Sequence, residues 1–174
     1  MSSSIKIVEC PRDAMQGIVE FIPTADKITY INSLLKCGFD TIDFGSFVSP
    51  KAIPQMRDTA SVLKGLELKN STKLLAIVAN ERGAKEALEF DEINCIGFPF
   101  SISEQFQQRN TNSSIANAFD TVERIQALSA NKGKELLVYL SMGFGNPYGE
   151  EWSPILALAW AKKLVNKLGI TTLA

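Results

Sequence analysis

Lys73-Leu-Leu-Ala-Ile-Val-Ala79, then a helix-period segment running to Ala87-Leu88, then Glu92-Ile-Asn-Cys-Ile-Gly97, decides the fold. The first run is apolar at both odd and even positions, which a strand wants only when both of its faces are buried. The second is shorter but β-branched. A helix between two such runs makes a βαβ unit, with parallel strands and a crossover connection.

The alternation continues in both directions. Upstream, Ile5-Lys-Ile-Val-Glu-Cys10 predicts a first strand. Residues 24–37 predict a helix with Thr24 as N-cap, Ile28, Ile31, Leu34 and Leu35 at helical spacing, and Gly38 as its stop. Thr41-Ile-Asp-Phe44 predicts a second strand, and 55–66 a helix with Met56, Thr59, Ala60, Leu63 and Leu66 inward. Downstream, a polar loop follows strand four. A helix from Ser114 to about Ala130 carries Phe119, Val122, Ile125 and Leu128 on one face, and Glu135-Leu-Leu-Val-Tyr-Leu140 predicts strand five. Ser153-Pro154 opens another helix as N-cap and first helical residue, Gly169 ends it, and Ile170-Thr-Thr-Leu-Ala174 begins strand six.

Neither a GxGxxG nor a GxxxxGK[ST] phosphate loop is present, which weighs against an open nucleotide-binding sheet. A (β/α)8 barrel needs about 250 residues, or about 30 per βα unit. The 174 residues then hold just under six units. The expected fold is α/β, a single domain over residues 1–174. It is an incomplete (β/α)8 TIM barrel made of strands 1–5 and the start of strand 6.

The formal net charge is −1, with 45 % hydrophobic and 21 % charged residues, a balance that gives neither nucleic acid nor an anionic membrane an electrostatic hold. No apolar run approaches the roughly 18 to 20 residues of a membrane span. Met1 to Lys6 lacks the charged and apolar regions of a signal peptide. Cys10, Cys37 and Cys95 are odd in number and form no CxxC pair, so they read as reduced thiols, small core residues of a cytoplasmic protein. The chain has no histidine, which excludes Ser-His-Asp and Cys-His catalysis, HExxH sites and Cys/His zinc fingers within it.

In a barrel, chemistry collects where strands end at their C-termini. Strand one ends in Glu9-Cys-Pro-Arg-Asp-Ala-Met-Gln16. There Arg12 beside Asp13 offers a fixed cation for an enolate or carboxylate and a hard oxygen for a divalent metal. The same two residues also suit a structural ion pair. Asp43 on strand two faces the barrel mouth if Ile42 packs outward. It then pairs with Arg12 and leaves Asp13 for a metal, or else it only satisfies a backbone group or a lysine. After strand four, Asn110 and Asn112 either hydrogen-bond a ligand or are simply solvated. Gly143-Phe-Gly-Asn-Pro-Tyr148 reads as a tight turn.

Taken in order, several motifs resemble those of the hydroxymethylglutaryl-CoA lyase family. They are Val8-Glu-Cys-Pro-Arg-Asp-Ala-Met-Gln16, Ser46-Phe-Val-Ser-Pro-Lys51 with Pro54-Gln-Met56, Ser103-Glu104 with Phe106, Asn110 with Asn112, Ser114-Ile115, Asn146-Pro-Tyr148 and Ser153-Pro154. The family is a metal-dependent (β/α)8 barrel within a larger group of lyases and Claisen-type synthases. The resemblance implies cleavage of 3-hydroxy-3-methylglutaryl-CoA to acetoacetate and acetyl-CoA with magnesium or manganese. It makes Asp13 the first metal ligand, Arg12 the group that stabilises the acetyl-CoA enolate, and Asp43 its neighbour in catalysis. Gln16, Ser46 and Asn110 would meet the acyl-CoA thioester, and a full-length protein would be a homodimer. Asp43 stands where the family carries Glu, Cys10 and Ala14 where it carries Gly, and Val19 where it often carries Lys. The family's His-x-His metal ligands belong to strand seven, beyond the six strands read here, so the metal site is incomplete. Two other readings are a related Claisen-type condensing enzyme and a truncated, non-catalytic relative.

Overall fold

The computed structural model describes residues 5–69 and 71–174. The opening Met1 to Ser4, on which part of the leader reading rests, lies outside them. Six strands form one sheet in sequence order: β1 (Val8–Glu9), β2 (Thr41–Ser46), β3 (Lys73–Ile77), β4 (Cys95–Ser101), β5 (Glu135–Ser141) and β6 (Thr172–Leu173). Every neighbouring pair is parallel. The connections carry α2 (Thr24–Leu35), α3 (Thr59–Lys64), α4 (Glu81–Ala87), α6 (Ile115–Asn131) and α7 (Pro154–Leu168), while the short α1 (Pro11–Gln16) and α5 (Glu104–Thr111) cap the C-terminal ends of β1 and β4. This is the expected incomplete TIM barrel.

Strand parity divides the side chains between two environments. Ile42, Phe44, Leu74, Ala76, Val78, Ile96, Phe98, Phe100, Leu136 and Val138 face the helices, where they meet Ile31, Leu35, Val62, Leu63, Ala118, Val122, Ile125 and Leu164 in the main core. Leu75, Ile77 and Cys95, with Leu137 and Tyr139 packed on them, line the opposite, inner face. Burying a Leu, Ile or Phe side chain contributes about 1.5–3 kcal/mol, so the outer layer supplies most of the fold's stability.

Several elements differ from the sequence expectation. Strand four is placed at Cys95–Ser101, later than Glu92–Gly97. The Phe98-Pro99-Phe100 stretch looks like a break because proline cannot donate to a ladder. Gly97, however, turns its carbonyl to β3, accepting from Val78 N–H at 2.9 Å. Two residues on, Pro99 faces the same side, where β3 has already ended, so no donor is missed. Thr24 is the first residue of α2 and Pro23 its N-cap; the Thr24 hydroxyl instead donates to Asp58 Oδ2 at 2.7 Å. The expected helix over 55–66 splits into a 3₁₀ turn at Pro54–Met56 and α3. The polar loop after strand four folds into α5, because Ser103 Oγ caps Phe106 N–H at 3.1 Å and the fully buried Gln107 accepts Ser101 N–H at 2.7 Å. Strands one and six are shorter than expected, and α1 forms where the sequence reading has only the end of strand one. Of the three cysteines read as core residues, Cys95 is buried, whereas Cys10 and Cys37 are exposed; all three are free thiols.

Among the described residues no helix is long and apolar enough to cross a membrane. Two outcomes follow from the packing. A Cβ added at Gly83 on α4 would lie 2.4 Å from the Phe47 carbonyl oxygen. Gly83→Ala therefore lowers stability by about 1–3 kcal/mol in urea unfolding, although alanine gains about 1 kcal/mol over glycine in an unobstructed helix. Burial pushes the Cys95 thiol up to about 12. A disulfide reagent therefore reacts with the exposed Cys10 and Cys37 in the native protein and with the buried Cys95 only after unfolding.

Candidate active site

Asp43 is the only carboxylate that strand parity turns into the inner face of β2. Its neighbours Ile42 and Phe44 pack outward, as expected, and its register partner is Leu75 of the inner layer. At 0 % exposure the carboxylate needs a partner, and Arg12 supplies it from α1. Arg12 Nε donates to Oδ1 at 3.2 Å and Oδ2 at 3.1 Å, and Nη2 donates to Oδ2 at 2.5 Å. Pro11 at the first helical position fixes the start of α1 and brings Arg12 over the end of the sheet.

The other end of the guanidinium is also held. Nη1 donates to Asp13 Oδ1 at 2.9 Å and to Gln16 Oε1 at 3.0 Å, and Gln16 Nε2 returns a bond to Asp13 Oδ1 at 3.0 Å. Of the five N–H groups on an arginine, these contacts use four and leave one on Nη2. Arg12 is 9 % exposed and the Asp13 side chain 63 % exposed. The site is thus a rigid cation with a buried carboxylate behind it and an open one beside it.

Burial pushes the Asp43 carboxyl up, opposed by its bonds to Arg12. The Arg12 guanidinium, although burial disfavours its charge, is held above its ordinary range by Asp43 and then Asp13. Tyr139 on β5 joins this electrostatic unit: burial, and after it the Asp43 charge, pushes its phenol well above the usual range. Its ring crosses the inner face over Gly97, where an added Cβ would come within 3.0 Å of Tyr139 Cε2. Sequence reasoning missed Tyr139. The signal was its odd-position match with Leu137, which means little until the sheet register is known.

Ser46 reaches the same face by an irregularity. Positions 43 and 46 have opposite parity, yet Asp43 pairs with Leu75 and Ser46 with Ile77, because the register shifts between Asp43 and Gly45. The extra residue, Phe44, is absorbed as a bulge and both polar side chains face inward. The Ser46 hydroxyl donates to Ile77 O at 3.2 Å and accepts Val48 N–H at 3.3 Å. The structure thus brings Arg12, Asp13, Gln16 and Asp43 together and sets Ser46 one step further along β2. Asn110 lies on the exposed surface of α5, in a different loop. The loops after β4 and β5 are joined through Glu150, which accepts from the Ser103 hydroxyl and from Gln105 N–H at 3.1 Å.

Among the described residues no group of three or more His, Cys, Asp or Glu side chains could hold a metal ion. Asp13 alone, with Oδ1 already engaged, is too small a donor set for magnesium or manganese. These residues by themselves do not fit a resident divalent ion.

The ion pair gives a direct test. Asp43→Asn leaves the Arg12 charge buried without its main partner and lowers stability by about 3–5 kcal/mol in chemical denaturation. The double variant Arg12→Met with Asp43→Leu removes both charges and costs less than the sum of Arg12→Met and Asp43→Leu made singly, a non-additivity that a double-mutant cycle reads directly.

No protein-family model matches the chain. Hydroxymethylglutaryl-CoA lyase YngG of Bacillus subtilis is 34 % identical over 164 residues, which is 94 % of this chain and 54 % of the relative. The mitochondrial hydroxymethylglutaryl-CoA lyase of Mus musculus is 33 % identical over 167 residues, 94 % of this chain and 50 % of the relative. Among solved structures, the Bacillus subtilis lyase superposes with a TM-score of 0.89 at 34 % identity, covering 97 % of this chain and 56 % of that one. A lyase of Acinetobacter baumannii in complex with coenzyme A and 3-methylmalate gives a TM-score of 0.89 at 30 % identity, covering 97 % and 54 %. The chain spans about half the length of the curated relatives it matches. Over that span, in sequence and in fold alike, the chain is similar to the hydroxymethylglutaryl-CoA lyases.

Proposed function

We propose that this chain carries part of the active site of a carbon–carbon lyase that cleaves 3-hydroxy-3-methylglutaryl-CoA to acetoacetate and acetyl-CoA. One observation carries the proposal. A guanidinium at the C-terminal edge of a barrel sheet is fixed by four of its five N–H groups, three of them committed to carboxylate oxygens. The matching lyases, one of them solved with coenzyme A, supply the substrate class.

The chemistry explains why a fixed cation is needed. When a general base takes the C3 hydroxyl proton, the C2–C3 bond breaks and its electron pair moves to the departing acetyl thioester. Negative charge then develops on the thioester oxygen as an enolate, and a proton returned to C2 from that base or from water completes acetyl-CoA. The unused Nη2 hydrogen of Arg12 serves that oxygen, and a donor already in place costs no reorganisation when the charge appears. Asp43, fully buried, acts through Arg12 by holding it in orientation. Gln16 ties Arg12 to Asp13 and keeps the open carboxylate beside the cation. We also propose Asp13 as one ligand of a divalent ion; among the described residues no further carboxylate, cysteine or histidine completes such a site.

The test is direct. The 174-residue chain, and any longer protein that contains it, is incubated with 3-hydroxy-3-methylglutaryl-CoA and magnesium or manganese, and acetoacetate is measured. In the form that turns over, Arg12→Gln lowers kcat by about 10²–10³ while KM changes little, as for loss of a group that acts on developing charge. No acetoacetate from either form overturns the proposal.

A further inference from the structure

The segment 17–23, between α1 and α2, has little packing of its own: Gly17, Ile18, Val19 and Glu20 are all exposed. It nevertheless follows directly on the helix that bears Arg12, Asp13 and Gln16. Its path is fixed by one side chain from a distant part of the chain, Gln55 of the 3₁₀ turn, which is 4 % exposed. Gln55 Oε1 accepts Ile22 N–H at 3.0 Å, and Nε2 donates to both Ile18 O and Glu20 O at 3.0 Å. The amide thereby acts as a surrogate backbone, satisfying three peptide groups of a segment that has no regular structure.

Gln55 is itself locked from behind. The Lys27 ammonium of α2, 2 % exposed, donates to the backbone carbonyl oxygen of Gln55 and to Asp58 Oδ1, the latter at 2.7 Å. Phe21, in the middle of the segment, lies against two cations. Lys27 Nζ stands 4.2 Å and the Arg57 guanidinium carbon 3.7 Å from the ring centre. All of this cluster converges on the segment that leaves α1. The 3₁₀ turn lies downstream of β2, which carries Asp43, so the cluster forms a second tie between the β1 and β2 loops, parallel to the Arg12–Asp43 pair.

We propose that Gln55 is a positioning residue for this site. By fixing 17–22 it sets where α1 ends and so holds Arg12 against Asp43. As a statement about catalysis this rests on the lyase reading above; as a statement about geometry it does not.

The test is made on the chain by side-chain NMR, following exchange with water of the Arg12 Nε–H that is hydrogen-bonded to Asp43. Gln55→Met keeps the length and apolar volume of the side chain and loses all three bonds. The expected result is at least tenfold faster exchange of Arg12 Nε–H, together with faster exchange of the Ile22 amide. Ile125→Val on α6, a mild core variant, serves as the control, compared at a temperature where both proteins are equally stable, and changes Arg12 Nε–H less than twofold. Should Gln55→Met not fold, Gln55→Asn, whose shorter amide cannot reach all three partners, gives at least a threefold change. Arg12 exchange equal to that of the control in whichever variant folds overturns the proposal and leaves Gln55 a structural residue only. In any form that cleaves the thioester, Gln55→Met lowers kcat at least tenfold with KM changed less than threefold. An equal loss through KM alone also overturns it. Absence of turnover in the unsubstituted protein bears on the lyase reading and leaves the exchange result standing.

Discussion

A carboxylate with no exposed surface cannot keep its charge unless a cation comes to it, and the geometry of this site follows from that requirement. Asp43 is fixed by the pleat of β2, and Arg12 reaches it from α1, just beyond the end of the neighbouring β1. The cost of taking both charges out of water is recovered only if the hydrogen bonds are nearly complete. This accounts for the bonding of Arg12 on every nitrogen, for the short helix that delivers it, and for Gln16 occupying the remaining edge. The pair is poor evidence of stability gained, since apolar side chains of similar size would pack there at lower cost. It is better understood as a cation kept immobile where its charge is of use.

The division of labour between the two faces of the sheet is equally physical. The outer face is aliphatic and aromatic and carries the folding free energy. Among the described residues the inner face has Leu75, Ile77 and Cys95 as its buried apolar layer, with Leu137 and Tyr139 packed against it. The Arg12–Asp43 pair stands at the top of the inner layer, apart from the packing between strands and helices.

Much of this was legible in the sequence, and for identifiable reasons. Runs such as Leu74 to Val78 announce a doubly buried strand whatever surrounds them, and Ser153-Pro154 and Ser114 cap their helices as their chemistry dictates. Parity and the need to pair a buried charge made the approach of Arg12 to Asp43 one of two readings, the other being a backbone group or a lysine, and the structure shows the first. What escaped was anything that depended on register or on a distant partner. Strand four extended through Pro99 because a neighbouring strand had stopped, a fact located in β3 and absent from the local sequence. Gln107 and Gln55 look like ordinary surface residues until one sees the backbone groups they satisfy. Thr24 has the right chemistry for an N-cap, but Asp58, 34 residues away, claimed its hydroxyl.

The bulge at Phe44 has a consequence of another kind. Because one inserted residue reverses parity, it lets the strand show the inner face two polar groups at a spacing that a regular strand forbids, while Ile42 and Phe44 both remain in the outer core. Single-residue gains or losses in β2 would therefore exchange which side chains meet a ligand without altering the hydrophobic layer that makes the barrel fold. Such a strand is a place where lineages on this scaffold can diverge in chemistry by changes of length, leaving the composition of the core alone.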